Sequence, residues 1–62
     1  MSIAENIKRL RTQKELTQAE LADKVGVNRS MIAQYERGSK QPTLSMAKEL
    51  CIALDCTLDD IA

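Results

Sequence analysis

Thr17 and Asn28 both favour helix starts, they stand eleven positions apart, and Gly26 lies between them. So short a span holds one helix, one tight reversal and the start of another. Thr17-Gln18-Ala19-Glu20 has the form of a capping box, in which the threonine hydroxyl accepts the Glu20 amide and the Glu20 carboxylate reaches back. Leu16 before the cap and Leu21 after it can staple the entry, and Leu21, Ala22 and Val25 supply a buried stripe. Gly26 suits a left-handed stop, because a residue without Cβ takes positive φ at little cost. The spacing predicts a helix over 18–25. Asn28 then caps a further helix that is stapled by Val27 and Ile32 and runs to Arg37, ahead of Gly38.

The flanking sequence is helical too. Ile3, Ile7 and Leu10 recur at helical spacing, with Lys8, Arg9 and Arg11 on the other faces, which predicts a first helix over 2–14. After the punctuation of Gly38-Ser39-Lys40-Gln41-Pro42, Thr43 caps a fourth helix whose stripe reads Leu44, Ala47, Leu50, Cys51 and Leu54. Asp55-Cys56 breaks it, and Thr57-Leu58-Asp59-Asp60 repeats the capping box for a final turn. Strands lack material, since Tyr35 is the one aromatic residue and β-branched residues are scattered singly. The expectation is an all-α fold, five short helices around one core, forming a single domain over 1–62. A chain of 62 residues buries only about 60% of its unfolded surface, so every cap and contact matters to its stability.

Several functions are excluded by what is missing. There is no histidine, the commonest general base and metal ligand. The two glycines, Gly26 and Gly38, are too far apart to cradle a phosphate together, and two cysteines are too few for a zinc site. Ser45-Met46-Ala47-Lys48 matches the Ser-x-x-Lys of penicillin-recognising enzymes, but 62 residues cannot build that fold, and the match is chance. Asp59 and Asp60 are explained by the dipole of the helix they open. Neither an enzymatic activity nor a metal or cofactor is expected. Apolar runs are only a few residues long and the N-terminus shows no secretory pattern, so the expected location is cytoplasmic, with no membrane partner.

The third helix carries the distinctive surface. Stepping ~100° per residue places Arg29, Ser30, Ala33, Gln34 and Arg37 in one arc of about 140°. Met31, Ile32 and Tyr35 fill the opposite side, and Glu36 falls at its edge. Such an arc is usually just a solvated face. Here the capped helix, tight turn and second helix across 18–37 point elsewhere, since this spacing leaves the third helix proud of the surface, able to enter a DNA major groove about 12 Å wide.

The chain resembles the lambda-repressor-like helix-turn-helix family, the phage repressor and Cro type also called xenobiotic-response-element type. Leu16-Thr17-Gln18-Ala19-Glu20-Leu21-Ala22 is similar to that family's second helix, Val25-Gly26-Val27 to its turn, and Ile32-Ala33-Gln34-Tyr35-Glu36-Arg37-Gly38 to its third helix and exit. Pro42, Leu44 and Ala53-Leu54-Asp55-Cys56 continue the likeness over nearly the whole chain, while Cys56 and the short C-terminus depart slightly from it at the dimer surface. The resemblance implies a sequence-specific, double-stranded DNA-binding transcriptional regulator of the repressor type, working as a homodimer. It implies that Asn28, Arg29, Ser30 and Gln34 read bases, with arginine suited to guanine and glutamine to adenine. Gln18, Arg37, Ser39 and Lys40 would meet phosphates, as would Arg11, for which an ion pair with Glu36 is also implied.

Leu58 and Ile61 form a short apolar edge that either closes the core or leaves one of the two exposed for a symmetric partner. A protein-interaction module of the same fold, antitoxin-like or anti-repressor, is the alternative function, and that edge would be its working surface. Cys51 and Cys56 fit best as small buried hydrophobes, because nothing basic flanks them to activate a thiol. Nine basic and nine acidic residues cancel, which at first argues against a polyanionic partner. Divided along the chain, residues 1–7 carry −1, residues 8–40 carry +4 and residues 41–62 carry −3. The positive share sits in the segment expected to meet DNA, so neutrality predicts modest nonspecific affinity and does not exclude binding.

Overall fold

A computed structural model of the chain describes residues 2–62. Five helices follow one another: α1 (Ile3–Gln13), α2 (Gln18–Val25), α3 (Arg29–Arg37), α4 (Leu44–Leu54) and α5 (Leu58–Ile61). Every start is capped by a side chain. Ser2, Thr17 and Thr57 form reciprocal capping boxes with Glu5, Glu20 and Asp60, while Asn28 and Thr43 accept the amides of Met31 and Met46. The boxes at the two ends of the chain show electrostatically. Backbone and hydroxyl donors of Ser2 hold the Glu5 carboxyl below the usual range, and those of Thr57 do the same for Asp60.

Four reversals use the left-handed region. Gly26 and Gly38 end α2 and α3 at φ 76° and 77°, as a residue without Cβ can do cheaply. Glu15 after α1 and Asp55 after α4 adopt φ 58° and 57° with side chains attached, a conformation that costs about 1–2 kcal/mol for an ordinary residue. An exposed Lys14–Asp55 ion pair at 3.4 Å links these two strained turns.

α3 packs against both α1 and α2, α2 against α4, and α5 closes the molecule against α1 and α4. Ile7, Leu21, Ala22, Ile32, Tyr35, Leu50, Cys51, Leu54 and Ile61 form the buried cluster, with Val25, Val27 and Met31 partly covered around it. Two expectations about apolar side chains need correction. Leu44 is not part of the buried α4 stripe: it is 65% exposed, because it opens the helix and projects past the edge of the core, where Met46 packs instead. Ile61 is not available to a partner. At 3% exposed it lies inside the core, and of the pair only Leu58 faces outward.

Asn6 is the buried polar residue that the apolar pattern of the first helix conceals. Its Nδ2 donates to the carbonyls of Ile61 at 2.8 Å and Ala62 at 3.1 Å, satisfying the end of α5 from the flank of α1. The cysteines are free; Cys51 is buried and Cys56 half-buried. Burial pushes the Cys56 thiol up to about 11, helped by a hydrogen bond with Cys51 and by the carboxylates of Asp60 and Asp55. Among the described residues no helix is long and apolar enough to cross a membrane.

Candidate nucleic-acid interface

The α2–turn–α3 unit is held from beneath by Leu21, Ala22, Ile32 and Tyr35, so the outer side of α3 is what remains for solvent. Asn28, Arg29 and Ser30 are exposed at its N-terminal end, Gln34 is half-buried one turn on, and Arg37 is exposed at the exit. Asn28 is only partly free, since its Oδ1 accepts the Met31 amide as the cap. No acidic residue lies in the first turn, and the one carboxylate of α3, Glu36, is turned inward with its side chain 4% exposed. The surface α3 offers is therefore cationic and polar, although its sequence contains an acid.

Glu36 is paired where it lies. Arg11 Nε donates to Glu36 Oε2 at 2.6 Å and Arg11 Nη2 to Oε1 at 3.1 Å, a two-pronged pair joining α1 to α3. Arg11 Nη1 donates to the carbonyl of Leu16 at 2.7 Å, and the side chain is only 14% exposed. All three nitrogens of Arg11 are committed inward. Of the two roles expected of Arg11, the ion pair is the one the fold displays, and with the Leu16 contact it uses three of the five guanidinium donors.

Gln18 and Arg29 join the same group. Gln18 Nε2 donates to Glu36 Oε1 at 3.1 Å, and Arg29 Nη1 donates to Gln18 Oε1 at 3.3 Å. A residue expected on the backbone and one expected on a base edge are therefore in direct contact. This link joins positions eleven apart on two helices, and no local motif announces it.

The remaining phosphate candidates gather at the far end of α3. Arg37 and Lys40 line a cleft of about 240 Å³ together with Gly38, Pro42 and the opening residues of α1, Ser2, Ile3 and Ala4. Ser39 lies beside it, its Oγ donating to the Gln34 carbonyl at 3.3 Å. The N-terminus of α1 adds the positive end of a helix dipole to these cations. Its part in this face was missed from the sequence, although Ser2-x-x-Glu5 is the same capping pattern that marks α2. Leu58 is 40% exposed on α5, and with Ile61 buried the edge on which a partner-binding module would rest is halved.

Known proteins share this arrangement. A family model described as helix-turn-helix matches residues 7–61. The chain belongs to that family. An HTH-type transcriptional regulator of Bacillus subtilis strain 168 is 41% identical over 56 residues, covering 90% of this chain and 48% of the relative. The immunity repressor of Bacillus phage phi105 is 37% identical over 54 residues, covering 87% and 38%. This chain thus spans less than half the length of these curated helix-turn-helix relatives. Among solved structures, the P22 c2 repressor protein in complex with a synthetic operator superposes with a TM-score of 0.93 at 31% identity, covering 98% of this chain and 92% of that one. The five-helix, all-α architecture is that of a repressor-type helix-turn-helix domain.

Proposed function

We propose that this helix-turn-helix chain is a sequence-specific, double-stranded DNA-binding transcriptional regulator that inserts α3 in the major groove and acts as a homodimer on paired half-sites. The observation that carries the reading is the polarity of α3: its single carboxylate is folded inward and paired, leaving Arg29, Ser30, Gln34 and Arg37 on the outer face. A groove rimmed by phosphates admits such a face and repels one bearing an exposed acid. Arg29 offers the planar donor edge that matches guanine O6 and N7, and Gln34 the donor and acceptor that match adenine N6 and N7. Lys40, Arg37 and Ser39 in the exit loop, with the α1 N-terminus, supply contacts that set register without reading sequence. The named relatives are transcriptional regulators and repressors, and the P22 c2 protein was seen with an operator, which agrees with this reading. The protein acts by occupying its site. A small domain with one short recognition helix gains specificity by doubling it, and Leu58 is the exposed apolar residue on α5 for such a contact.

Titration of the protein into labelled duplex DNA at two salt concentrations tests the proposal. Binding that weakens steeply with salt, and selection of one sequence from a random duplex pool, are the expected results. Absence of salt-dependent binding at micromolar protein would overturn it.

A further inference from the structure

We propose that Cys51 and Cys56 are a redox couple, closing in the folded chain into a disulfide that fastens the turn from which α5 hangs. The four left-handed reversals are built alike. At each, the amide one residue past the left-handed position donates to the carbonyl of the residue five before it: Leu16 to Arg11 at 3.1 Å, Val27 to Ala22 at 3.0 Å, Ser39 to Gln34 at 3.1 Å and Cys56 to Cys51 at 2.9 Å. This bond folds the later residue back over the earlier one, so that their side chains meet. Only in the last turn are both residues cysteines. With standard backbone dimensions, the 2.9 Å bond from Cys56 N to Cys51 O holds the two Cα atoms less than about 6.8 Å apart, because the path between them is bent. Disulfides span Cα separations of about 4.4–6.8 Å. The two thiols already share a hydrogen bond. Both also line one open cleft of about 390 Å³ with Ile52, Asp55, Thr57 and Asp60, which gives a small molecule access to Cys56.

The oxidant is a low-molecular-weight disulfide. Cys56 Sγ, as thiolate, attacks one of its sulfurs, forming a mixed disulfide and expelling the first small thiol. Cys51 Sγ gives its proton to water and attacks the Cys56 sulfur, and the second small thiol leaves. The chain loses two protons and two electrons, and the small disulfide takes up both pairs to become two thiols. A thiol pushed up to about 11 attacks slowly and leaves slowly, so each state persists once formed. The effect falls on α5. Cys56 directly precedes Thr57, whose side chain caps that helix, and buried Ile61 and the two Asn6 bonds hold its far end. A bond from Cys56 to Cys51 ties the root of α5 to α4 and steadies the exposed Leu58.

Equilibration of the chain in mixtures of reduced and oxidised glutathione, folded in buffer and unfolded in urea, tests this. Acid-quenched samples are resolved by mass into the dithiol, the internal disulfide (two hydrogens lighter) and glutathione adducts. The internal disulfide is expected to be favoured about ten-fold more in the folded chain than in urea. Urea titration should then show the oxidised chain to be more stable by the same factor, and amide exchange in α5 should slow on oxidation. A preference for the internal bond no greater in the folded chain than in urea would overturn the inference. So would glutathione adducts or cross-linked dimers as the main folded product, which would leave the cysteines a packed apolar pair. Unchanged exchange in α5 after oxidation would deny the bond its hold on that helix.

Discussion

Arg11 Nε lies 2.6 Å from Glu36 Oε2, and the pair clamps α1 to the helix that carries the candidate base-reading side chains. Both side chains are largely removed from water, so removing one leaves the other's charge without compensation. Arg11→Met is expected to destabilise by about 3 kcal/mol, near the low end for breaking a buried pair. That is a large share of the total for a domain of this size, of which roughly 3–9 kcal/mol is typical. The Arg11→Met/Glu36→Met double variant should recover most of the loss in urea titrations, because replacing both ions with apolar groups of similar shape removes the stranded charge. Equal destabilisation of single and double variants would show that the charge itself is not what matters.

Asn6 should prove as important as an apolar core residue. Asn6→Leu keeps the volume but leaves the Ile61 and Ala62 carbonyls without their donor, at an expected cost of about 1–3 kcal/mol. Amide exchange should quicken first in α5. Uniform quickening across all five helices would assign Asn6 a global role instead.

The two left-handed residues without glycine offer gains in stability. Glu15→Gly should raise the melting temperature, because relief of positive φ, about 1–2 kcal/mol, exceeds the added freedom of the unfolded chain, about 0.4–1 kcal/mol. Asp55→Gly should help less, since aspartate enters this region more readily and the exposed Lys14 contact is lost with it. At Gly26 the direction reverses. A Cβ there meets nothing within 4 Å, so the loss on Gly26→Ala would report backbone strain alone.

Cys56 is expected to be a slow nucleophile. Burial raises its thiol from an ordinary 9.0 to about 11, so at any pH below both values the thiolate is about a hundred-fold scarcer than in an unhindered thiol. Alkylation of the folded protein should stay slow at pH 8 and accelerate only toward pH 11. Rapid labelling at pH 8 with the fold intact would refute the assignment of Cys56 as a covered hydrophobe.

Much of this architecture is written locally, which is why it can be read from one chain. Thr17, Gly26, Asn28, Thr43 and Thr57 each act within four residues of themselves, and all cap the helices expected of them. The Arg11–Glu36 pair is long-range and came from resemblance to a family, not from spacing. What escaped the sequence depends on where distant elements meet. Asn6 looks like a surface residue until α5 is known to end beside it, and Leu44 looks like core until the edge of the core is located. Glu15 and Asp55 reverse the chain without the glycine that would mark such a turn. In the candidate interface, the type and order of side chains were legible, but the contact of Gln18 with Arg29 required the crossing of two helices to be seen.

The bond from Asn6 to the final carbonyls carries a topological meaning. Ala62 O lies 3.1 Å from Asn6 Nδ2, a contact between positions 56 apart in sequence. Closing so long a loop costs more entropy than a contact between neighbours, so α5, the shortest helix, is expected to dock late in folding and to leave early in unfolding.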